Sequence, residues 1–579
     1  MEVPLQLGAA LEAWRSPLTG RDAIMKLHSD APSLAQETVA RLMADLVSWG
    51  CVIPWARIAS HSCEKKQGSI RWLAIPTSGR VFSLQRAMAS YAANLHKFGH
   101  TSAVVVADDA ADSNVVIEAL ETLSAAPGTP PLWYMGVDDK NTFARLLAQK
   151  GDIPPDAIRF GIFGSGCSSR TVGANRNALL LHTCGENLLT VDDDTICRPN
   201  TTENTTDKLT ASGHMNPEEA WCFESAAACM TFGASASIDV LGAHETCLGS
   251  RVSQIVSCAD AKRTLGELRY MCPHMLESLC VGTGNVRVTF NGARGDCGFH
   301  SDLGMIAHPG ATGERLRRLE VNYHGVLESR QIVRQAPQTT LCHPDSAAVA
   351  MFMGLDNSSL LPPFLPGGRN AESVFIRVMA LCSDHDFAAH LPFTLDHDPP
   401  EGRRYAKGRD TIVRLTDLVG RCASTWRPGT RSSCRKERMV ALGRYLRQLG
   451  SMPSSDFAMF SRELITARNN SMIEWLSSTR AKANGSCPPW ERDISERIEA
   501  LAASTATRDF HIPVDLPVDS PGPDIAPAQS IVRKYGELLE WWPAITERTS
   551  ELKSNGVDAG HLVDGRKTES ALGSSRKYK

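Results

Sequence analysis

Short apolar runs alternate with segments of helical periodicity in the first third of the chain. The run IRWLAIP at 70–76 has the length and the terminal proline of a buried strand, and SAVVVADD at 102–109 is a second, β-branched run. Between them, residues 83–99 carry apolar side chains at helical spacing and end at Gly99, as helices commonly do. This order of strand, helix and strand predicts an α/β fold.

The alternation continues beyond the second strand. We interpret IRFGIFG (158–164) as a strand and SGCSSRTVGANRN (165–177) as a loop rich in glycine, serine and arginine. ALLLHTCG (178–185) is typical of a helix that a glycine ends, and ENLLTVDDD (186–194) is typical of a strand that runs into three aspartates. In an open α/β sheet the ligand crevice lies outside the carboxyl ends of the strands, so we expect it near these acids.

The hydrophobic pattern in the remainder of the chain predicts helical segments around one α/β domain. Residues 33–49 have helical spacing behind a serine cap, residues 195–330 are interpreted as irregular, and residues 404–510 look mainly helical. The predicted organisation is a helical leader (1–65), an α/β domain (66–400) with halves at 66–200 and 201–400, a helical C-terminal domain (401–510), a proline-rich linker (511–530), a terminal helix (531–556) and a disordered tail (557–579).

The composition is that of a globular protein and argues against several other classes of protein. With 579 residues, the chain is long enough for about two to four domains. A net charge of −3 gives no electrostatic case for general nucleic-acid binding. No run approaches the roughly 18–20 apolar residues of a membrane-spanning helix. The first twenty residues have neither a basic region nor a continuous apolar region, so we expect no signal peptide. The 17 cysteines include no C-x-x-C pair and favour reduced thiols, so we expect a cytoplasmic protein.

Three adjacent aspartates, Asp192, Asp193 and Asp194, are the most distinctive acidic cluster. Adjacent carboxylates repel one another, and a hard divalent cation bound through their oxygens removes that cost. Magnesium and manganese both suit such ligands, and the cation can then neutralise a diphosphate. The alternative interpretation is a solvated acidic turn in which Asp194 caps the following element.

Basic and polar residues accompany the aspartates. Arg170 and Arg176 lie in or beside the glycine-rich loop, where a backbone can approach a phosphate and arginine supplies paired donors. AIPTSGR (74–80) closes the first predicted strand, and VVVADDAAD (104–112) closes the second. Each cluster falls where a sheet collects its ligand contacts.

Together these segments resemble the nucleotide-sugar-binding half of the GT-A glycosyltransferases, especially the family-2-like group. In that family a first strand ends in P-T-x-x-R, a second ends in D-D, an R-N precedes a helix, and D-x-D follows. The resemblance covers roughly residues 70–200, and the matching residues are Pro76, Thr77, Arg80, Asp108, Asp109, Arg176, Asn177, Gly185, Asp192, Asp193 and Asp194. It implies a GT-A, Rossmann-like nucleotide-sugar-binding sheet, flanked here by the helical leader and the helical C-terminal region.

The resemblance also implies roles for single residues. Thr77, Arg80 and Asp108 would lie near the base and its ribose. Asp192 would face the ribose and the metal, and Asp194 would ligate the metal that bridges to the diphosphate. Manganese or magnesium is the implied cofactor.

A second stretch resembles the acceptor half of these enzymes. LLPPFLPGGRNAESVFIRVM (360–379) and HLPFTLDHDPP (390–400) are similar to its P-P-F-x-P, N-E-D-x-x-F and later histidine signatures. Glu372 falls where the family has its catalytic Asp, Ala371 replaces the acidic neighbour, and His397 is the candidate last metal ligand. The alternatives are a glutamate that favours a helix dipole and a histidine in a turn.

One further polar stretch, GARGDCGFHSDLG (292–304), lies between the two halves. Asp296, His300 and Asp302 can line an acceptor pocket or form a polar loop, and the glycines favour the loop.

The function that these features predict is metal-dependent transfer of a sugar, with inversion, from a nucleoside-diphosphate sugar to an acceptor hydroxyl. A UDP-sugar is favoured, and the acceptor is a glycan, a peptide or a small natural product. One alternative is a nucleotidyltransferase of sugar phosphates, for which AIPTSGR (74–80) is a poor glycine-rich loop. The other is a degenerate GT-A fold that acts as a non-catalytic binding module, which Ala371 favours.

Overall fold

One large mixed sheet lies between two layers of helices. The structure is a computed structural model, and the residues it describes are 19–30, 36–49, 51–52, 54, 56–57, 68–126, 128–149, 151–165, 171–213, 215–257, 271–308, 310–319, 322–346, 351–400, 402–406, 408–427, 434–483, 487–516 and 524–563. Arg170 and parts of the predicted leader, linker and tail lie outside the described residues.

The first part of the chain alternates strands and helices up to the three aspartates. Its elements are α1 (Gly20–Asp30), α2 (Gln36–Ser48), β1 (Ile70–Thr77), α3 (Val81–Phe98), β2 (Ala103–Asp108), α4 (Asn114–Ser124), β3 (Leu132–Met135), α5 (Val137–Ala148), α6 (Pro155–Phe163), α7 (Val172–His182) and β4 (Asn187–Val191). The strands predicted at 70–76, 102–109 and 186–194 coincide with β1, β2 and β4. Gly99 ends α3 in the left-handed conformation, at φ 71°.

The middle of the chain adds further strands and short helices. They are β5 (Thr195–Thr201), β6 (Leu209–Gly213), β7 (Glu219–Phe223), α8 (Ala226–Thr231), β8 (Ala234–Ser235), α9 (Val240–Glu245), α10 (Val252–Ser257), α11 (Pro273–Val281), β9 (Asn285–Asp296), α12 (Leu303–Ile306), α13 (Ala311–Arg317), α14 (Tyr323–Ser329), β10 (Gln331–Gln335), β11 (Thr339–Cys342), β12 (Phe352–Asp356), α15 (Ala371–Cys382) and β13 (Asp386–His397). The prediction that residues 195–330 are irregular is therefore wrong. Most of these elements are short, and turns interrupt their periodicity.

Long helices dominate the last part of the chain. They are α16 (Leu415–Thr425), α17 (Arg435–Leu449), α18 (Ser454–Lys482), α19 (Pro488–Ser504) and α20 (Ala526–Ser554), and a short strand, β14 (His561–Leu562), follows. β14 pairs antiparallel with β3, so the first residues of the predicted tail belong to the sheet. In the part of the chain that the structure describes, no helix combines the length and the apolar character that crossing a membrane requires.

The strand order of the sheet is β14-β3-β2-β1-β4-β12-β9-β13-β11-β6. The neighbouring strands β3, β2, β1 and β4 pair in parallel, whereas β12 runs antiparallel to both β4 and β9. β10 and β7 extend the sheet beside the end of β9, and β5 and β8 extend it beside the end of β13. Since β1 lies between β2 and β4, the strand order reverses at β1, and a crevice is expected at its carboxyl end.

Alternate residues of β1 face the two apolar layers. Leu73 and Ile75 belong to the apolar layer that includes α3, α4 and the helices α9 to α11, whereas Ala74 belongs to the layer that includes α6, α7, α15 and the C-terminal helices. Burial on both faces explains why β1 and its parallel neighbours are continuous apolar runs.

Two predictions around the glycine-rich loop are wrong. IRFGIFG at 158–164 belongs to helix α6, which begins with Pro155 at its first position, and a short apolar run fits a buried helix as well as a strand. Residues 172–177, predicted as loop, form the first turns of α7. Every residue of α7 from Gly173 to His182 is buried, so the helix lacks the polar face that would have revealed its periodicity.

Helix α20 fixes the segment that precedes α15. The Trp542 indole donates a 2.8 Å hydrogen bond to the carbonyl oxygen of Leu361, and the Tyr535 hydroxyl donates one of 2.9 Å to that of Pro363. The C-terminal helix therefore supports the P-P-F-L-P segment that leads to Glu372.

Candidate functional site

A cleft of about 1220 Å³ opens at the carboxyl ends of β1 and β4. Its walls come from the two strand ends, from the start of α7, from α15, and from the residues after β9 and β13. The predicted site residues in its lining are Pro76, Thr77, Arg80, Arg176, Asp192, Asp194, Glu372 and His397. The crevice therefore lies at the carboxyl ends of the strands, where the sequence predicts it, and the structure shows that the strand order reverses there.

The ends of β1 and β4 are joined through Asp193. The Thr77 hydroxyl donates a 2.6 Å hydrogen bond to one carboxylate oxygen of Asp193, and the Arg80 guanidinium pairs with the other. Burial raises the pKa of Asp193 to about 7, although Arg80 and Thr77 act in the opposite direction. Asp193 therefore joins the end of β1 to the turn that Asp192, Asp193 and Asp194 form after β4.

Asp194 is the most heavily engaged of the three aspartates. Its Oδ2 accepts hydrogen bonds of 3.2 Å from Arg80 and 3.0 Å from Arg403, whereas its Oδ1 lies 3.5 Å from Nε2 of His397. Burial alone would raise the pKa of Asp194, but His397 and the two arginines hold it well below its usual range. The carboxylate is thus charged and faces a histidine.

The backbone places His397 beside Asp194. The two strands β13 and β5 pair with His397 opposite Thr195, and the amide of Asp398 donates a 2.9 Å hydrogen bond to the carbonyl oxygen of Asp194. The Nδ1 of His397 donates a 2.6 Å hydrogen bond to the carbonyl oxygen of Asp296. Since Nδ1 carries that proton, the lone pair of a neutral imidazole is on Nε2, which faces Asp194.

The pair Asp194 and His397 has the chemistry of part of a cation site. Two ligands of one magnesium or manganese ion, each about 2.1 Å from it, lie about 3–4 Å apart, which is compatible with 3.5 Å between Oδ1 and Nε2. Proteins usually hold such ions with one or two side chains plus substrate phosphates. Asp192 does not join the pair, and among the described residues no group of three or more His, Cys, Asp or Glu side chains is placed to hold a metal.

Asp192 and Glu372 share one arginine. Arg176 is buried and donates a 2.6 Å hydrogen bond to Asp192, while its other terminal nitrogen lies 3.6 Å from the Glu372 carboxylate. Burial raises the pKa of Glu372, and the charge of Arg176 offsets part of that rise. Arg176 therefore links Asp192, which follows β4, to Glu372 at the start of α15.

Asp108 and Asp109 turn away from the cleft. Asp108 is fully buried and accepts hydrogen bonds from the amides of Gly79 and Ala110 and from the Tyr134 hydroxyl. Asp109 pairs with the buried ammonium of Lys140. Both carboxylates therefore have partners inside the protein, and the expected contacts to a base and ribose stay predictions.

Asn177 also has an internal role. Its amide donates hydrogen bonds of 2.9 Å to the carbonyl oxygen of Gly161 and 3.0 Å to that of Phe364, and its oxygen accepts one of 2.7 Å from the Phe364 amide. These bonds join α7 to α6 and to the segment before α15. Asn177 thus shapes one wall of the cleft without lining it.

Several residues of the site have no counterpart among the predictions. Arg403 contacts Asp194. Asn175 lines the cleft. Its side-chain oxygen accepts a 2.6 Å hydrogen bond from Lys140, and its side-chain nitrogen donates one of 2.9 Å to the carbonyl oxygen of Thr77. Arg403 and Arg404 lie six and seven residues after His397, the last residue of β13, and two adjacent arginines there are a usable sequence signal. Lys140 carries none, because a lysine near a helix start is ordinarily exposed.

The polar stretch at 292–304 is strand and cleft wall rather than only a loop. Asp296 ends β9 and accepts two hydrogen bonds from Arg330, of 2.9 and 3.0 Å, and His300 lines the cleft. Asp302 is buried and accepts two bonds of 2.8 Å from Arg409. Of the three residues that were expected either to line an acceptor pocket or to form a polar loop, His300 lines the cleft. Asp296 and Asp302 instead form ion pairs with arginines.

Comparison of the chain with models of known protein families gave no match, and comparison with curated proteins gave none either. The likeness to the GT-A glycosyltransferases therefore rests on the residues described above and on their placement.

Proposed function

We propose that the chain is a metal-dependent glycosyltransferase that moves a sugar from a nucleoside-diphosphate sugar, with a UDP-sugar favoured, to a hydroxyl of an acceptor with inversion. The observation that carries the proposal is the approach of Asp194 to His397, at 3.5 Å, in a cleft that Glu372 also lines. A charged carboxylate, a histidine and a second carboxylate in one cleft suit a cation on the donor side and a base on the acceptor side.

Asp194 and His397 would hold the manganese or magnesium ion. Asp192, the third predicted ligand, would join them only after release of its 2.6 Å bond to Arg176. When bound, the ion would supply positive charge against the diphosphate leaving group. The proposal therefore assigns the ion two resident ligands and leaves its other positions to phosphate oxygens and water.

Two arginines supply positive charge on the donor side. Arg80 and Arg403 both contact Oδ2 of Asp194 and line the cleft. A diphosphate that approaches Asp194 would meet both guanidinium groups, whose paired donors match phosphate oxygens. Their charge would be worth most as the leaving group gains negative charge.

Glu372 is the proposed base. It lines the cleft, burial raises its pKa, and its side chain retains 17% exposure toward the cleft. A carboxylate with a raised pKa accepts a hydroxyl proton more readily than an ordinary one does. Arg176 would hold Glu372 in its deprotonated form until the acceptor arrives.

A second candidate, the non-catalytic binding module, is favoured by one observation. Asp192 and Asp194 already have arginine partners, and the described residues include no group of three metal ligands. Carboxylates neutralised by arginine do not need a cation. On this interpretation the cleft binds an anionic ligand and releases no product.

Product analysis distinguishes the candidates. The purified protein is incubated with a panel of nucleotide sugars, Mn²⁺ and mixed acceptors, and nucleoside diphosphate and pyrophosphate are measured. The proposal predicts release of a nucleoside diphosphate that stops with EDTA. Release of pyrophosphate would indicate the nucleotidyltransferase alternative, and release of neither would favour the binding module.

A further inference from the structure

Two arginines neutralise Asp194, the proposed metal ligand. Its Oδ2 accepts hydrogen bonds of 3.2 Å from Arg80 and 3.0 Å from Arg403, while its Oδ1 lies 3.5 Å from Nε2 of His397. A divalent cation bound to this carboxylate would lie close to two guanidinium groups, and like charges at short distance repel one another. Cation binding is therefore strengthened if one of the two guanidinium groups leaves Asp194.

Arg80 is held in its place by a second carboxylate. It also pairs with Asp193, which is fully buried, and no other cation among the described residues pairs with Asp193. A buried carboxylate that loses its cationic partner is strongly destabilised. Departure of Arg80 from the aspartates is therefore unfavourable.

Arg403 is held less firmly. Its second carboxylate is Asp296, whose Oδ1 lies 3.9 Å from Nη1 of Arg403. Asp296 already accepts hydrogen bonds of 2.9 and 3.0 Å from Arg330 and one of 2.8 Å from the Gly298 amide. Departure of Arg403 thus leaves Asp296 with a cationic partner. The Arg403 side chain is also 34% exposed and lines the cleft, so it has room to reorient there.

The chain is attached to the fold on both sides of Arg403. Before it, the carboxylate of Asp398 accepts a 2.7 Å hydrogen bond from Arg86 on α3, which also donates to the carbonyl oxygen of Asp398. After it, the ring of Tyr405 lies 4.5 Å from the guanidinium group of Arg330. Reorientation of Arg403 therefore involves its side chain and leaves these attachments intact.

We propose that Arg403 alternates between two partners: it neutralises Asp194 while no cation is bound, and it contacts the diphosphate when cation and nucleotide are bound together. The inference rests on the proposed function, since it takes the cation to bind at Asp194 and His397 and the diphosphate to bind beside them. It adds a regulation of that site, in which Arg403 weakens binding of the cation alone and strengthens binding of the diphosphate. It also accounts for an arginine partner of Asp194 that otherwise favours a non-catalytic module.

The two effects of Arg403 have opposite signs, and this distinguishes the proposal from simpler roles. If Arg403 only bound phosphate, its removal would leave the affinity for the cation alone unchanged. If it only stabilised the fold, its removal would weaken binding of both ligands. Under the proposal, its removal strengthens binding of the cation alone, weakens binding of the diphosphate, and so reduces the coupling between the two ligands.

Titration of the metal-free protein with Mn²⁺, in which electron paramagnetic resonance measures the free ion, tests the first effect. We expect Arg403→Gln to bind Mn²⁺ alone at least fivefold more tightly than the wild type. Arg403→Lys keeps the positive charge and should stay within threefold of the wild type. Arg318→Gln is the control and should bind Mn²⁺ unchanged, because Arg318 is 78% exposed and does not line the cleft.

Calorimetric titration with UDP at saturating Mn²⁺ tests the second effect. We expect Arg403→Gln to bind UDP at least tenfold more weakly than the wild type, and Arg318→Gln to bind it equally well. Unchanged or weaker binding of Mn²⁺ alone by Arg403→Gln would overturn the inference. Undiminished binding of UDP by the same variant would overturn it as well.

A further measurement needs no variant. Phenylglyoxal modifies accessible arginines, and mass spectrometry locates the modified residues. In the wild-type protein, Mn²⁺ alone should accelerate modification of Arg403, because the side chain leaves Asp194, and Mn²⁺ with UDP should slow it. Arg318 should react at one rate in all three conditions. Equal rates for Arg403 in the three conditions would contradict the proposed exchange of partners.

Failure of this inference is distinguishable from failure of the proposed function. If the wild type binds UDP only with Mn²⁺, and Arg403→Gln binds both ligands as the wild type does, the role of Arg403 is wrong and the transferase proposal stands. If the wild type binds neither Mn²⁺ nor UDP, both proposals are contradicted.

Discussion

Nε2 of His397 lies 3.5 Å from Oδ1 of Asp194, although one residue ends β13 and the other follows β4. The hydrogen bond from Nδ1 of the imidazole to the carbonyl oxygen of Asp296 fixes the ring in this orientation. The two residues come from the two halves into which the sequence divides the α/β domain. Residues from both halves therefore form the cleft.

Replacement of Asp194 tests the metal assignment. We expect Asp194→Ala to weaken Mn²⁺-dependent binding of a nucleoside diphosphate at least a hundredfold, because it removes the carboxylate that lies 3.5 Å from Nε2 of His397. Calorimetric titration with and without EDTA measures the effect. Asp207→Ala, at an exposed aspartate, is the control and should bind as the wild type does. Undiminished Mn²⁺-dependent binding by Asp194→Ala would remove Asp194 from the metal site.

Replacement of Glu372 tests the base assignment. Glu372→Gln keeps the size of the side chain and removes its ability to accept a proton, so we expect kcat to fall about 10²–10⁴-fold. Donor affinity should change less than threefold. Steady-state kinetics and donor titration separate the two effects, with Glu314→Gln, at a 55% exposed glutamate, as control. Equal turnover by Glu372→Gln would exclude it as the base.

Asn177 should prove structural rather than ligand-binding. Loss of its three buried hydrogen bonds leaves backbone groups of Gly161 and Phe364 without partners, so Asn177→Ala should lower the free energy of unfolding by about 2–4 kcal/mol. Urea unfolding measures this, and Asn114→Ala, at an exposed position, should change it by less than about 0.5 kcal/mol. A fully stable Asn177→Ala variant with weakened nucleotide binding would restore the predicted ligand contact.

His182 should make stability depend on pH. It is fully buried between Trp72 and Trp133, and burial lowers its pKa to about 3, with a smaller contribution from Lys553. The unfolded chain takes up a proton below about pH 6.5 and the folded one only near pH 3, so stability falls as pH drops between these values. At pH 5 the loss relative to pH 8 is about 2 kcal/mol.

Substitution isolates this contribution. Unfolding of His182→Phe in urea at pH 8 and pH 5 should show a pH dependence smaller than that of the wild type by about 2 kcal/mol. His96→Phe, at an exposed histidine, should retain the dependence of the wild type. An unchanged pH dependence in His182→Phe would show that the buried imidazole is not responsible.

The sequence predicts β1, β2 and β4 because burial on both faces makes these strands continuous apolar runs, whereas the shorter strands after β4 are not predicted. β1, β2 and β4 are apolar runs of strand length, and their ends mark the edge where the cleft opens. Helix α6 has the same kind of apolar run, and only Pro155 at its start distinguishes it from a strand. Helix α7 is buried on all sides, so periodicity does not reveal it.

The direction of a side chain at a strand end is what the sequence does not determine. Asp108 follows the same pattern as Asp193, yet the fold surrounds it with two backbone amides and Tyr134. Arg403 reaches Asp194 only because the chain after β13 folds across the cleft. Contacts of this kind depend on tertiary closure between distant segments, and a single sequence does not encode them in any local pattern.

Thermal unfolding with a panel of nucleoside diphosphates and nucleotide sugars, each with Mn²⁺ and with EDTA, tests the central claim most directly. A ligand that binds only the folded state at a hundredfold excess over its Kd stabilises it by about 2.7 kcal/mol. We predict a rise in melting temperature with one nucleotide sugar in Mn²⁺ that EDTA abolishes and that Asp194→Ala lacks. No rise with any nucleotide in either condition would contradict the account.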